Sequence, residues 1–148
     1  MSRKVQFQPA GFHTVNPYLI VNGAAGLLDF MAKAFGAQEI GERFSDPDGR
    51  IMHAAVRIGD SMVEVSDAPS GAMTAALHMY VEDTDDTYRR ALEAGATSLR
   101  EPMTTFYGDR SAGVKDPCGN SWWLACHVED VAPEEMIRRM KKPTRAGS

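Results

Sequence analysis

The sequence repeats itself at an interval of about sixty residues, and this repeat constrains the fold more than any other feature. Each match is short and uses common residues, but the matches fall in one order and at nearly one offset. A chain with such a repeat builds one supersecondary unit twice, and 148 residues suit both copies within a single ordinary domain. The matched positions are Val21 with Val81, Gly36-Ala37 with Gly95-Ala96, and Gly59-Asp60-Ser61 with Gly119-Asn120-Ser121.

The apolar pattern of the first copy predicts a strand, a helix and three further strands. The helix is predicted over 24–35, because apolar residues recur there at helical spacing and Gly36 follows, a residue that commonly ends helices. Alternating apolar residues and turn residues indicate the strands. These strands are predicted over 17–21, 38–44, 50–58 and 61–66, with turns at 46–49 and 59–60.

The second copy predicts the same order of elements, followed by one extra helix. Its helix follows the run Glu82-Asp83-Thr84-Asp85, where Thr84 or Asp85 is the expected N-cap. The extra helix begins at Pro133, with acidic residues first and basic residues last. Strands are predicted over 77–81, 97–106 (broken by Pro102), 111–115 and 121–128, with a turn at 116–120, a linker at 68–72 and a disordered end at 145–148.

Composition excludes several classes of function. A net charge of −4 gives no general attraction for nucleic acid, and no apolar run reaches the length of about 18–20 residues that a membrane span needs. The N-terminus has no apolar core like that of a signal peptide. Cys118 and Cys126 are too few for a disulfide framework, so two reduced thiols are expected. The sequence therefore predicts a cytoplasmic protein that binds neither nucleic acid nor membrane.

Four segments resemble the vicinal oxygen chelate superfamily, in particular its PhnB-like branch of glyoxalase/bleomycin-resistance proteins. The resemblance covers about residues 12–130. It implies an α+β fold in which two βαβββ modules, about 12–68 and 76–130, form a U-shaped mixed-sheet cleft, with a C-terminal helix at about 132–142. It also implies a homodimer. The segments are KAFGA (33–37), DPDGRIMHA (46–54), RIGDS (57–61) and YGDRSAGVKDPCGNSWW (107–123).

The same resemblance implies four positions for a divalent cation held by His and Glu side chains. In this sequence they fall on Asn16, Ala76, Glu64 and Trp123, or on Ala125 instead of Trp123 if the last strand has a bulge. Only Glu64 is a good ligand, whereas zinc needs about three protein ligands even in catalytic sites. We therefore predict no metal site and no cofactor. A rearranged set, in which Glu64 combines with His53 or His78, remains an alternative.

Seven residues are candidates for the site. Glu64 interrupts an apolar run, and a carboxyl group in an apolar cleft can act as a general base; the alternative is a solvated Glu64 or one paired with an arginine such as Arg57. Aromatic side chains stack on planar or cationic ligands, although core packing is favoured for any single one of them. Arg110 could hold an anionic ligand or form a structural ion pair. The ligand-binding candidates are Tyr18, His53, His78, Tyr107, Arg110 and Trp123, and the catalytic candidate is Glu64.

Three functions follow as hypotheses. The first is a metal-independent protein that binds a small organic molecule, because the ligand positions are lost and aromatic residues are available. The second is a lyase or isomerase of the glyoxalase kind that uses Glu64 as base or as metal ligand. The third is a structural dimer that binds no small molecule.

Overall fold

The structure of the protein, a computed structural model, describes residues 5–68 and 70–142. Within these residues the chain forms two compact units, one ending at Thr74 and the other beginning at Ala75. Each unit holds a four-stranded mixed sheet with a helix between its first two strands, so the predicted α+β class and the repeated element order are confirmed. Pro69 of the predicted linker and the predicted disordered end, 145–148, lie outside the described residues. No helix in the described part of the chain has the length and apolar character needed to cross a membrane.

The first unit has the predicted elements, and their bounds differ from the predicted ones by at most one residue. They are β1 (Tyr18–Val21), α1 (Ala24–Phe35), β2 (Gln38–Ser45), β3 (Ile51–Ile58) and β4 (Ser61–Asp67). The strand order in the sheet is β1-β4-β3-β2, with β1 parallel to β4 and the other neighbours antiparallel. This order leaves β1 and β2 at the edges of the sheet.

The second unit repeats this order and adds the C-terminal helix. Its elements are β5 (Ala76–Tyr80), α2 (Thr84–Glu93), β6 (Thr97–Thr104), β7 (Asp109–Lys115), β8 (Ser121–His127) and α3 (Pro133–Met140). The strand order is β5-β8-β7-β6, again with one parallel pair, β5 and β8. The register of β6 against β7 shifts between Arg100 and Met103, next to Pro102, where the sequence predicts a break.

The register of the parallel pairs relates the two sheets residue by residue. Tyr18 lies opposite Glu64 in the first unit, and His78 lies opposite Trp123 in the second. His78 follows Tyr18 by sixty residues, the interval of the repeat, and the pairing of β8 with both neighbours runs without a bulge. On this register Trp123, rather than Ala125, is the counterpart of Glu64.

In each sheet one face is apolar, and the opposite face, called the second face, carries Glu64 in the first sheet and Trp123 in the second. In the first unit, register and alternation place Leu19, Val65 and Ala54 on one face, all at most 1% exposed, and α1 packs on β3 and β4. Tyr18, Glu64 and the residues in register with them lie on the opposite face. The hydrophobic core thus leaves this second face available for function.

A carboxylate distant in sequence caps the first helix. Gly23, the N-cap residue of α1, has no side chain to offer, and its φ of 98° is one that glycine adopts readily. Asp67, at the end of β4, accepts hydrogen bonds from the backbone N–H groups of Gly23 (3.0 Å) and Ala24 (2.8 Å), and from that of Ile51 (2.9 Å). The negative charge also lies at the positive end of the helix dipole. Asp67 thereby joins α1, β3 and β4.

We expect Asp67→Ala to lower the free energy of unfolding by about 2 kcal/mol at neutral pH, because three backbone donors lose a charged acceptor. Burial opposes ionisation of Asp67, but the N–H groups of Ala24, Ile51 and Gly23 outweigh it and lower its pKa from 3.8. A lowered pKa means that the stabilisation is full above 3.8 and is lost as the pH falls further. Urea unfolding at several pH values should show that the difference in the free energy of unfolding between wild type and Asp67→Ala becomes smaller in acid. Asp67→Asn, which keeps one acceptor oxygen, should lose less; equal losses for both variants would contradict this role.

The predicted cap of the second helix is wrong. Asp83 is the N-cap, and its carboxylate accepts a hydrogen bond from the backbone N–H of Asp86 (3.0 Å). Thr84 is the first helical residue, 2% exposed, and its hydroxyl donates to the carbonyl of Arg110 (2.7 Å). Asp85 pairs with the Arg110 guanidinium instead. The side chains of Thr84 and Asp85 thus connect α2 to β7. Because they are used in this contact, they do not cap the helix.

Candidate functional site

A polar pair lies on the second face of the first sheet. Glu64 in β4 faces Ala55 in β3, so His53, two residues away, is its diagonal neighbour on the same face. The Nε2 atom of His53 lies 2.9 Å from Oε1 of Glu64, and the two side chains are 38% and 24% exposed. The ring of Tyr18, opposite Glu64 in β1, lies 6.1 Å from the imidazole. Three of the seven predicted residues therefore come together in this unit.

The partner of Glu64 differs from the one the sequence suggested. Arg57 donates a hydrogen bond to Gln38 (3.0 Å) in the neighbouring strand, whereas Glu64 has His53 as its partner. A carboxylate that is hydrogen-bonded to an imidazole fixes the orientation of the ring and can exchange a proton with it. The pair is half-buried and reachable by a small molecule. It therefore has the parts of a general acid–base site.

An aromatic row crosses the second face of the second sheet. Register places His78, Trp123, Gly113 and Arg100 side by side on the four strands β5, β8, β7 and β6. The indole of Trp123 lies against Gly113, since a Cβ added to this glycine would stand 2.6 Å from Cε3 and 2.9 Å from Cη2 of the ring. Only a residue without a side chain lets the indole lie against the sheet in this way. In β5, His78 and Tyr80 pack edge to face, with ring centres 5.0 Å apart.

Gly113→Ala should displace the Trp123 indole, because the new methyl group would overlap the ring. We expect acrylamide to quench the tryptophan fluorescence more strongly in this variant than in wild type. Gly26→Ala is the matched control, since Gly26 lies in α1 with no atom within 4 Å of an added Cβ. Unchanged quenching in Gly113→Ala would show that the indole does not lie against this glycine.

Sequence reasoning missed Arg100. Its guanidinium carbon lies 5.3 Å from the centre of the Trp123 ring, within cation–π distance, and Nη2 donates to the hydroxyl of Ser111 (2.5 Å). The alternation of residues in β6 does not identify Arg100, because register shifts decide which residues of β6 lie next to Trp123. A prediction of the bulge from Pro102 would have been the signal that found it.

The remaining candidates lie apart from these two groups. Arg110 is paired with Asp85 (Nη2 to Oδ1, 3.0 Å); this hydrogen bond raises the pKa of Arg110 and lowers that of Asp85. The structural ion pair that the sequence left open is therefore present. Arg110 lies opposite Cys126 in register and not beside Trp123. Tyr107 lies in the loop between β6 and β7, 39% exposed, edge to face with Phe106 at 5.2 Å.

The residues at the four implied cation positions do not fit a metal ion. The side-chain amide of Asn16 both accepts from the backbone N–H of His13 (3.0 Å) and donates to its carbonyl (2.8 Å). Ala76 and Trp123 offer a methyl group and an indole, which leaves Glu64 as the single ligand. Among residues 5–68 and 70–142, no three His, Cys, Asp or Glu side chains converge as a metal-binding group.

Comparisons with known proteins agree with this architecture. Residues 11–124 match the sequence model of the Glyoxalase/Bleomycin resistance protein/Dioxygenase superfamily. An uncharacterised protein of Mycobacterium bovis, Mb0911c, is 36% identical over 139 residues, covering 85% of this chain and 91% of its own length. The uncharacterised protein Rv0887c of Mycobacterium tuberculosis is 36% identical, with 85% of this chain and 81% of its own length covered.

Two crystal structures show the same fold. TioX from Micromonospora sp. ML1 superimposes with a TM-score of 0.62 at 21% identity, covering 77% of this chain and 99% of TioX. A glyoxalase/bleomycin resistance protein/dioxygenase family enzyme from Burkholderia phytofirmans gives a TM-score of 0.61 at 20% identity, covering 77% and 96%.

Proposed function

Because the chain belongs to the Glyoxalase/Bleomycin resistance protein/Dioxygenase superfamily, we propose that it binds a small organic molecule and does so without a catalytic metal. The observation that carries this proposal is the place of Trp123. An indole stands in the second sheet where the first sheet has Glu64, and it lies against Gly113 with Arg100 beside it. A flat aromatic surface binds planar or cationic groups but offers no metal ligand.

The proposed contact residues fall into one group per unit. In the first unit they are Tyr18 and His53, next to Glu64. In the second unit His78 and Trp123 are neighbours in register. Tyr107 and Arg110 lie apart from both groups, and we propose them as separate ligand contacts. We propose each group as a ligand-binding surface of its own unit.

A thermal-shift screen with metabolites tests the proposal. We expect at least one organic compound to raise the melting temperature equally with and without a strong chelator, because the bound state is stabilised by its ligand alone. Trp123→Leu should reduce that shift, while Trp122→Phe, which changes a buried ring of the opposite face, should keep it. A shift that disappears whenever the chelator is added would contradict the metal-independent reading. A screen without any hit would favour a structural dimer without a ligand.

A second candidate function is favoured by the hydrogen bond between His53 and Glu64. In this alternative the protein is a lyase or isomerase of the glyoxalase kind, and Glu64 removes a proton from carbon while His53 orients it. Glu64→Gln keeps the size and the hydrogen bond but removes the base, so turnover should fall by about 10²–10⁴-fold while binding persists. Equal loss of binding and turnover would instead assign Glu64 to ligand binding.

The finer assignments are proposals as well. We propose the PhnB-like branch because of the segment 107–123, and the cytoplasm because two cysteines are too few for a disulfide framework. A homodimer is supported by β2, an edge strand whose eight residues are all exposed, including Phe44 at 62%. An exposed edge strand of this kind can pair with a strand of another chain. Light scattering should give twice the chain mass of 16.2 kDa; a monomer at all concentrations would contradict the dimer.

A further inference from the structure

Arg100 combines three features that together point to an anionic ligand. Its Nη2 donates to Ser111, its guanidinium lies over the Trp123 ring, and its Nε is buried. In the part of the chain that the structure describes, this Nε has no hydrogen-bond partner and no carboxylate lies within ion-pair distance of Arg100. A buried donor of a charged group without an acceptor is costly, and an incoming anion would relieve that cost.

The neighbours of Arg100 determine the shape of the rest of the ligand. The row next to it consists of small or flexible residues: Ala125, Ser111 and Met103. Beyond Trp123 stand the rings of His78 and Tyr80, and Tyr80 is 68% exposed. An aromatic surface with a cation at one end suits a planar molecule that carries its negative charge at one end.

We propose that the second face of the second sheet binds a planar organic carboxylate, with Trp123 under its ring and Arg100 at its carboxylate. This inference rests on the proposed function and names the class of its ligand. Arg100 is then a specificity-determining residue, since its guanidinium can donate charge-assisted hydrogen bonds to a carboxylate. The hydroxyl of Ser111 holds Nη2 and so fixes the direction of the guanidinium.

Calorimetric titration with a matched pair of probes tests the inference. 2-Naphthoate and its neutral isostere 2-naphthamide share one ring system and differ in charge. We expect wild type to bind the carboxylate about tenfold more tightly than the amide, since one charge-assisted hydrogen bond typically contributes a tenfold difference in affinity. Arg100→Gln should remove this preference, and Arg100→Lys, which keeps the charge but not the guanidinium, should retain part of it.

Two further variants separate the two parts of the site. Trp123→Leu should weaken both probes to a similar extent, because it removes the surface under the ring. Arg43→Gln is the matched control: Arg43 lies in β2, the counterpart of β6, and is already paired with Glu39. Its loss should leave both affinities unchanged. Thermal melts of each variant show that the changes in affinity come from folded protein.

The outcomes distinguish this inference from the function on which it rests. Equal affinity for the two probes in wild type, or an unchanged preference in Arg100→Gln, would overturn the role of Arg100. In that case amide binding that depends on Trp123 would still support a small-molecule site. Failure of both probes to bind would overturn the planar carboxylate as ligand class, while the metabolite screen with and without chelator decides the proposed function separately.

Discussion

Asp116→Ala should lower the free energy of unfolding by about 4 kcal/mol, as expected when a buried charge with several hydrogen bonds is removed. Asp116 is 4% exposed at the start of the turn between β7 and β8. Its carboxylate accepts from the backbone N–H groups of Cys118 (2.8 Å) and Asn120 (3.0 Å), from the amide of Asn120 (3.0 Å) and from the indole N–H of Trp122 (2.8 Å). Removal takes this acceptor away from several buried donors at once.

The chain contains a matched control for this substitution. Asp46, between β2 and β3, starts a turn of the same Asp-Pro-X-Gly sequence, and its carboxylate accepts from the backbone N–H groups of Asp48 and Arg50, both at 2.9 Å. It has no buried amide or indole as partner. Urea unfolding should therefore show a much smaller loss for Asp46→Ala, and equal losses would contradict the importance of the buried network.

Gly108→Ala should be the most damaging Gly→Ala substitution in the second unit. We expect it to lower the free energy of unfolding by roughly 3–5 kcal/mol, because it strains the backbone and breaks hydrogen bonds. Gly108 has a φ of 97°, and an added Cβ would collide with the carbonyl oxygen of Glu129. Its own carbonyl accepts from the N–H groups of Val128 (2.8 Å) and Glu129 (3.0 Å). The methyl group would push away the segment that leads from β8 to α3.

Gly49→Ala separates strain from collision. Gly49 has a similar φ of 86°, but an added Cβ finds no atom within 4 Å. Gly49→Ala should therefore lower the free energy of unfolding only by the backbone strain, about 1–2 kcal/mol. Denaturant unfolding of both variants measures the difference, and a Gly108→Ala protein as stable as Gly49→Ala would show that the contact with Glu129 is dispensable.

The fold followed closely from local signals. Helix α1 ends at Phe35 because Gly36 adopts a φ of 67° and its N–H bonds to Ala32, a conformation that the sequence indicates directly. The two Asp-Pro-X-Gly turns are equally local, since the aspartate accepts hydrogen bonds within its own turn. The repeat then predicted one order of elements along the chain for both units, which is confirmed.

The details that failed depend on contacts between residues far apart in sequence. Four consecutive polar residues, 82–85, span the start of α2, and the contacts of Thr84 and Asp85 with Arg110 leave Asp83 as the cap. The cap of α1 by Asp67 spans 43 residues to Ala24 and has no local signal. Pairing of Glu64 with His53 required the register of β3 against β4, which alternation alone does not give.

The candidate site was predicted in part for the same reason. Residue types on single strands identified Trp123 and Glu64 as positions of interest, but which side chains neighbour them depends on the neighbouring strands. Arg100 illustrates this, since shifts in register on both sides of it decide that it lies opposite Gly113, next to Trp123. The roles of Trp123, Glu64 and Arg100 in ligand binding are predictions that the variants above test.

In the second sheet an aromatic surface stands where a metal ligand would be needed, so we expect the protein to hold no stoichiometric metal ion. Elemental analysis of protein purified without chelators, after dialysis against zinc, nickel or manganese, tests it most directly. We expect less than stoichiometric metal in wild type and no difference in Glu64→Gln. One ion per chain that is lost in Glu64→Gln would contradict the claim.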